Sequence, residues 1–220
     1  MLKMIVFDMA GTTVDEQNVV YKTLHRAIRE AGFELSLDDV LRQGAGKEKM
    51  QAIFDILQDK HLEKSELQVI YNKFLLLLDE AYQHLEVVPQ PGAVEIFYYL
   101  KAQNIKVVLN TGYNQQTADQ LLAKLNWKVG VEIDGLITAS QVRANRPQPD
   151  MILLAMEQMG ITNCDVVAKV GDSIIDIEEG KNAGCALSIG ITTGAHSFEQ
   201  LQTAMPNFII DNLLQLKDLV

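Results

Sequence analysis

Four stretches of this 220-residue chain combine side chains that could bind a cation or an anion. Their carboxylates suit a hard divalent cation such as Mg²⁺, and their hydroxyl and guanidinium groups suit a phosphoryl group. Each stretch lies at or shortly after a candidate strand end. In chain order they are Asp8-Met-Ala-Gly-Thr-Thr-Val-Asp15, Leu109-Asn-Thr-Gly-Tyr113, Arg143-Ala-Asn-Arg-Pro147 and Val170-Gly-Asp-Ser-Ile-Ile-Asp176.

Asp8 ends the apolar run Met4-Ile-Val-Phe7 and is followed by a turn of small residues. A short apolar run bounded by a turn predicts a buried strand of a parallel sheet. Ligands of open α/β sheets bind just beyond the carboxyl ends of the strands. A carboxylate at that edge can be a nucleophile, a metal ligand or both. The structural alternative is an aspartate that only caps a turn.

The elements that must position these residues follow from periodicity. Residues 17–85 show mostly helical spacing and little strand signal, whereas helix and strand alternate after Pro89. Strands alternating with helices of this kind predict a doubly wound parallel sheet. We therefore expect an α/β core of residues 1–15 and 88–220, interrupted by an all-helical insertion of residues 16–87. The expected later elements are helices 92–103, 115–125, 149–159, 174–183 and 197–204, a final helix, and strands 105–109, 135–138, 165–170, 186–189 and 208–210.

Composition limits the classes of function. The net charge of −10 argues against a nucleic-acid partner, because binding to the phosphate backbone needs clustered Lys and Arg. Cys164 and Cys185 have no metal-site spacing and indicate free thiols in a reducing compartment. With neither a signal-peptide pattern nor a membrane-length apolar run, we expect a cytoplasmic protein that does not bind membranes. The sequence leaves the oligomeric state open, a homodimer included.

In their order and spacing, the four motifs resemble those of the haloacid dehalogenase superfamily, which consists mostly of phosphotransferases and hydrolases. The resemblance covers essentially the whole chain, and the helical insertion resembles the family's cap domain. It implies that Asp8 attacks phosphorus to form an aspartyl-phosphate and that Thr111 hydrogen-bonds a phosphoryl oxygen. It also implies that Arg146 offsets negative charge, where the family more often has lysine. Arg143 is the alternative cation.

The resemblance further implies a Mg²⁺ site. Asp8 and Asp172 would bind the ion, and the carbonyl of Ala10 is a further candidate ligand. Ser173 and Asp176 would support these ligands without contacting the ion directly, or would act through water. An acidic residue such as Asp176 also suits the first turn of a helix. The backbone amides of the turn, at Gly11 and Thr12, would cradle the phosphoryl oxygens.

Ala10 departs from the pattern of the superfamily's phosphatases. These usually carry a second aspartate two residues after the nucleophile, which protonates the leaving oxygen and later activates water. An alanine cannot transfer protons. Ordinary ester hydrolysis would therefore lose a general acid, a contribution of about 10²–10⁴-fold in rate.

Within the superfamily, Asp8-x-Ala-Gly-Thr-Thr-Val-Asp resembles the phosphonoacetaldehyde hydrolase branch. There a cap lysine forms a Schiff base with the substrate aldehyde, and the protonated imine accepts electrons when the C–P bond breaks. The branch places this lysine three residues after a glycine, which matches Gly46 and Lys49, with Lys47 as the nearby alternative. Gly112 and Tyr113 also match the branch, and Tyr113 either touches substrate or packs between cap and core.

Three features of that branch are missing. Ala45 stands where the branch has Met, Ala52 where it has His, and Asn18 where it has Cys. We therefore predict a Mg²⁺-dependent hydrolase acting at phosphorus, with C–P cleavage of a phosphonoaldehyde-like substrate favoured. The alternatives are a phosphate monoesterase and, from another class, a non-catalytic phosphoryl receiver or sensor. A receiver has no need of a cap that excludes solvent from a substrate.

Overall fold

The computed structural model describes residues 1–220 and contains a six-stranded sheet in which all neighbouring strands are parallel. Its strand order is β5-β4-β1-β6-β7-β8, so the chain winds outward in both directions from β1. This is the predicted doubly wound α/β core. The strands are β1 (Met4–Asp8), β2 (Val14–Asp15), β3 (Val88–Pro89), β4 (Lys106–Thr111), β5 (Gly135–Thr138), β6 (Val167–Gly171), β7 (Leu187–Ile191) and β8 (Phe208–Ile210).

Strand β1 lies at the centre of the sheet and is buried on both faces, as its continuous apolar run predicts. Met4 and Val6 face one apolar layer, and Ile5 and Phe7 face the other. In the register of the sheet, Asp8 lies opposite Asn110 of β4. The strand ends therefore meet at one edge, where the motifs converge.

The helices cover both faces of the sheet and form the insertion. They are α1 (Val19–Glu30), α2 (Leu37–Gly44), α3 (Lys49–Leu57), α4 (Lys64–His84), α5 (Ala93–Ala102), α6 (Gln115–Leu125), α7 (Asp150–Met159), α8 (Ile174–Asn182) and α9 (Phe198–Thr203). None of them is both long enough and apolar enough to span a membrane.

Two segments of the core differ from expectation in the type of element that they form. The final helix is a 3₁₀ helix, Leu213–Asp218, in which Leu213 and Leu216 are buried. Apolar residues three apart fall on one face of a 3₁₀ helix, which has three residues per turn. The other difference is at the start of β6, where a 3₁₀ turn, Cys164–Val166, takes the place of the expected first strand residues.

Helices α1 to α4 lie between strands β2 and β3, which pair antiparallel with each other. This two-stranded ribbon holds together the two points where the chain enters and leaves the helical insertion. Periodicity did not predict this ribbon, because each strand has only two residues and one of them is Pro89. The buried apolar residues of the insertion, such as Leu24, Ile53 and Phe74, form one continuous cluster with one face of the sheet.

Candidate active site

Asp8 lies at the end of β1 and forms a buried ion pair with Arg146. The distance from Arg146 Nη1 to Asp8 Oδ1 is 2.6 Å. The same guanidinium lies 3.0 Å from Asp176 Oδ1, and its Nε lies 3.0 Å from Glu179 Oε2. The Arg146 side chain is only 1% exposed, whereas Arg143 lies on the surface. The structure therefore places Arg146 at the strand ends and Arg143 outside them.

A second buried cation, Lys169 of β6, was not among the predicted site residues. Its Nζ lies 3.0 Å from Asp176 Oδ1 and 3.3 Å from Glu179 Oε2, and it donates to Asn110 Oδ1 at 2.6 Å. Asn110 in turn donates to Glu179 and accepts from Arg146. The sequence feature that could have indicated this residue is a lysine within the apolar run of β6, because a fully buried lysine needs a partner.

Asp172, directly after β6, lies beside Asp8 and Asp176, with ligand oxygens of the three carboxylates all within 4.8 Å. Thr12 Oγ1 donates to Asp172 Oδ1 at 3.1 Å, and the amide of Ala195 donates to Oδ2 at 2.6 Å. Burial and the charges of Asp8 and Asp176 raise the pKa of Asp172 to about 8.

The three carboxylates are not equivalent. Burial alone would raise the pKa of Asp176, but the charges of Arg146 and Lys169 outweigh it and lower that pKa. Asp172 has no ion pair with any lysine or arginine. Burial also raises the pKa of Asp8, despite Arg146. The pair Asp8 and Asp172 is thus short of positive charge, and its oxygen donors suit a hard divalent cation.

The backbone amides of the turn after Asp8 differ in whether they donate hydrogen bonds within the turn. Those of Gly11 and Thr12 donate to carbonyls within the turn, at Val14 and Met9. The amides of Met9 and Ala10 take no part in these bonds. The predicted anion-binding amides of Gly11 and Thr12 are thus engaged within the turn, and the Thr12 hydroxyl donates to Asp172.

Thr111 and Ser173 occupy the ends of neighbouring elements around Asp8. Thr111 is the last residue of β4, is buried, and accepts a hydrogen bond from the amide of Tyr113 at 3.2 Å. Ser173 precedes α8 and donates to Asp176 Oδ2 at 2.5 Å. Thr111 lines the cavity beside Asp8, whereas Ser173 fixes the orientation of Asp176.

Lys49, the first residue of α3, is the lysine that reaches this cavity. It is buried, donates to the carbonyl of Lys47, and lies 5.5 Å and 5.7 Å from the ring centroids of Tyr113 and Tyr21. Burial lowers the pKa of Lys49 to about 8. The Lys47 side chain instead forms an ion pair with Asp55 at 2.5 Å. Geometry therefore separates the two lysines that the sequence left as alternatives.

The cavity between the insertion and the sheet has a volume of about 10 Å³. That volume is near the minimum for one water molecule, so the cavity beside Asp8 is closed in this structure. The lining residues come from both parts of the chain: Asp8, Ala10, Val20, Tyr21, Gly46, Lys49, Thr111, Gly112, Tyr113 and Arg146.

Two glycines allow this closure. A Cβ on Gly46, whose φ is +72°, would lie 2.3 Å from Ser173 Oγ. A Cβ on Gly112 would lie 2.6 Å from the carbonyl oxygen of Lys47. Both distances are far below van der Waals contact. The loop before α3 therefore rests on the sheet edge at points where there is room only for glycine.

Replacing Gly112 with alanine is expected to open the cavity. The added methyl group clashes with the Lys47 backbone but adds no strain of its own, since Gly112 does not have a positive φ. Hydrogen exchange of the amides of residues 44–50 should become about tenfold faster, as is usual when a local closed form is destabilised. Mass spectrometry of exchanged peptides measures this. Unchanged protection of that segment would contradict the assigned contact.

A buried chain of three hydroxyl and carboxyl groups lies behind the cavity and was missed by the sequence analysis. Tyr82 OH lies 2.9 Å from Tyr113 OH and donates to Glu16 Oε2 at 3.3 Å. Glu16 also accepts from the amide of Val20 at 2.9 Å. Burial raises the pKa of Glu16 to about 7. Glu16 and Tyr82 are 66 residues apart, so no local pattern links them.

Fold and site together define an α/β enzyme with a strand-end aspartate, a buried arginine and a helical insertion over the sheet edge. Comparisons with known proteins identify its family. Residues 5–189 match the family model described as haloacid dehalogenase-like hydrolase. The chain belongs to that family and is a hydrolase. Membership of a hydrolase family goes against the alternative of a non-catalytic receiver.

Curated relatives narrow the resemblance. The chain is 31% identical over 209 residues to the phosphonoacetaldehyde hydrolase of Parabacteroides distasonis, covering 87% of this chain and 76% of the relative. It is 29% identical over 206 residues to that of Latilactobacillus sakei, covering 86% and 75% respectively. The predicted resemblance to the phosphonoacetaldehyde hydrolase branch is confirmed.

Solved structures confirm the fold. A hydrolase from Pseudomonas syringae superposes with a TM-score of 0.87 at 20% identity, covering 98% of this chain and 96% of that one. A phosphonoacetaldehyde hydrolase-like protein from Oleispira antarctica gives 0.86 at 22% identity, covering 99% and 91%. At these identities the likeness concerns the fold alone.

Proposed function

We propose that this chain is a Mg²⁺-dependent, phosphonatase-like hydrolase that breaks the C–P bond of phosphonoacetaldehyde or a closely related phosphonoaldehyde. The observation that carries the proposal is that Lys49 and Asp8 line one closed cavity, so an amine and a carboxylate can act on the same small substrate. In this proposal residues 16–87 form the cap, and residues 1–15 and 88–220 form the catalytic core.

Asp8 is the proposed nucleophile at phosphorus. Arg146 binds Asp8 Oδ1, which leaves Oδ2 without a protein donor and free to attack. In this proposal the phosphoryl oxygens are bound by Thr111, by Arg146 and by the amides of Met9 and Ala10. Stabilising charge and position in this way is most of what in-line phosphoryl transfer requires of a protein. The product on Asp8 is an aspartyl-phosphate, which water then hydrolyses.

Mg²⁺ is the proposed cofactor, because Asp8 and Asp172 are buried carboxylates with too little positive charge around them. Asp8, Asp172 and the carbonyl of Ala10 would hold it. The bound ion would neutralise negative charge on the nucleophile and the phosphoryl group. Asp176 accepts a hydrogen bond from Ser173 and pairs with Arg146 and Lys169. In this proposal it orients the surrounding side chains without binding the ion directly.

Lys49 is the proposed electrophile-forming residue. The Lys49 ammonium first releases one proton, and the neutral amine adds to the aldehyde carbon. Return of that proton lets the oxygen leave as water, and a protonated imine remains on Lys49. When the C–P bond breaks, its electron pair moves into the imine to give an enamine, while phosphorus passes to Asp8. No proton on a leaving oxygen is needed at that step. This is why Ala10, which cannot supply one, is compatible with C–P cleavage.

Reductive trapping tests the proposal. Wild-type protein incubated with phosphonoacetaldehyde, Mg²⁺ and cyanoborohydride should carry a phosphonoethyl or, after cleavage, an ethyl group on Lys49, located by peptide mass spectrometry. Without Mg²⁺ we expect the phosphonoethyl group to predominate. Lys49→Arg should lose adduct and turnover, whereas Lys47→Arg is the matched control.

Turnover without any lysine adduct, unaffected by Lys49→Arg, would refute the Schiff-base assignment. A panel of phosphate esters tests the alternative of a phosphate monoesterase. Such an enzyme would need Asp8, Thr111 and Arg146, but its reaction would not involve the buried amine of Lys49. Release of phosphate from esters with no reaction of the phosphonoaldehyde would favour that alternative.

The rate of adduct formation should rise with pH. The pKa of Lys49 is lowered by burial to about 8, so the reactive neutral amine increases about tenfold per pH unit below that value and levels off above it. At pH 7 about a tenth of the lysine is neutral. Initial rates of trapping measured across neutral pH check this. A rate that still climbs steeply well above pH 9 would mean that the Lys49 amine is not buried in solution.

A further inference from the structure

Glu16 is a buried carboxylate that takes no part in the proposed attack by Asp8, in Mg²⁺ binding or in the chemistry assigned to Lys49 itself. It lies directly after β2 and is 1% exposed. A buried carboxylate is costly unless it is paired or protonated. The partners of Glu16 are the amide of Val20 and the hydroxyl of Tyr82.

Its hydrogen bonds lead into the cavity. Tyr82 OH connects Glu16 to Tyr113 OH, and each of the three residues is at most 3% exposed. Tyr113 lines the cavity that holds Asp8, and its ring lies against the Lys49 ammonium. A buried, hydrogen-bonded path of groups that can donate and accept protons therefore runs from Glu16 to the hydroxyl of Tyr113, whose ring lies beside the Lys49 amine.

We propose that Glu16 is the acid–base partner of Lys49, connected to it through the hydroxyls of Tyr82 and Tyr113. The proposal rests on the proposed function, in which Lys49 forms an imine. It also explains how the site works without the His and Cys that the resemblance expects, since Ala52 and Asn18 occupy those positions. Glu16 acts through other residues and is thus a positioning residue for Lys49.

The proposed step conserves protons and charge. The Lys49 ammonium passes one proton through Tyr113 and Tyr82 to the Glu16 carboxylate, and the neutral amine forms a C–N bond to the aldehyde carbon. Glu16 then returns that proton by the same path to the departing oxygen, which leaves as water. The product is the protonated imine, and the total charge is unchanged.

The surroundings of both groups favour this exchange. Burial lowers the pKa of Lys49 and raises that of Glu16, so the two groups lose and gain a proton at nearby pH values. The charged groups that face Lys49 are Glu48 on its own helix, Asp8 of β1, Arg146 and Glu16. Glu16 is faced by Tyr82, the amides of Val19 and Val20, and Lys49. Lys49 is the one cation among these groups.

The test uses Glu16→Gln and Tyr82→Phe, alone and combined. Glutamine keeps the shape of the side chain and its acceptor for Val20 but cannot take the proton, and phenylalanine interrupts the path while leaving Glu16 in place. Each single variant should slow Lys49 adduct formation about 100-fold, as for loss of a general acid–base group. The double variant should be no slower than the slower single one, because the two residues act as a unit. Glu80→Gln and Tyr98→Phe, both exposed, are the matched controls.

A second readout does not depend on the reaction. The ¹³Cε resonance of Lys49, assigned with Lys49→Arg, reports its pKa in each variant. Loss of the Glu16 charge should lower that pKa by about one unit, whereas Tyr82→Phe should leave it near the wild-type value. Wild-type adduct rates in Glu16→Gln would overturn the proposal. If wild-type protein forms no adduct, the proposed function fails, and an unmoved Lys49 pKa in Glu16→Gln then overturns the pairing as well.

Discussion

Asp8→Asn is expected to lower turnover by about 10⁴-fold or more, because asparagine has no nucleophilic carboxylate and single replacements of a covalent nucleophile have effects of this size. Phosphate release from phosphonoacetaldehyde measures the loss. The imine on Lys49 should still form, since that step does not use Asp8. Trapped Asp8→Asn protein should therefore carry the phosphonoethyl group, whereas wild-type protein with Mg²⁺ should also carry the ethyl group left by C–P cleavage.

The same substitution should not destabilise the fold. Burial raises the pKa of Asp8 above its ordinary value, so its charged form is less favourable in the folded protein than in the unfolded chain. Asparagine can keep an oxygen toward Arg146 and removes that penalty. We expect a thermal midpoint equal to or above that of wild type, as is common when a functional charge is removed.

Asp15→Asn is the control, because Asp15 belongs to the same motif but only binds the amide of Gln17 at the surface. It should retain wild-type turnover and trapping. Turnover by Asp8→Asn above about a hundredth of wild type would contradict the nucleophile assignment. Retained phosphonoethyl trapping with no phosphate release is the combination that supports it.

Much of the site was predictable because a parallel sheet gathers strand ends at one edge. Asp8, Thr111 and Asp172 each follow an apolar run, and the register of β1 against β4 and β6 brings them together. The choice between Arg143 and Arg146 was not predictable, because both lie in one loop and only the fold shows which is buried. The same holds for Lys47 and Lys49, whose side chains point to different partners although two residues apart.

The residues that the sequence did not reveal are those whose roles depend on distant partners. Lys169 and Glu179 belong to one buried network with Arg146, yet β6 and α8 separately look like an ordinary strand and helix. Glu16 appears as an ordinary polar residue after a short strand until Tyr82 is placed beside it. Periodicity predicts which elements form, but the pairing of polar groups across elements is settled only by packing.

Arg146→Met is expected to lower the free energy of unfolding by about 3–5 kcal/mol, the usual effect of removing one partner from a buried ion pair. The guanidinium lies within 3.0 Å of Asp8, Asp176 and Glu179. Without it, Lys169 is the one remaining cation for these carboxylates. Arg146→Lys should lose about 1–2 kcal/mol, since an ammonium cannot reproduce the forked contacts of the guanidinium. Urea unfolding without divalent cations measures both.

The pH dependence distinguishes this charge effect from lost packing. In wild-type protein Arg146 helps to lower the pKa of Asp176 against the opposing effect of burial. In Arg146→Met the pKa of Asp176 in the folded protein should rise above its value in the unfolded chain, so the folded protein binds more protons there and stability falls as pH increases above about 4. The gap between wild type and variant should therefore widen from pH 4 to pH 7. The exposed Arg143→Met should stay within about 0.5 kcal/mol of wild type at every pH. A gap that does not change with pH would mean that Arg146 stabilises the core by packing and not by its charge.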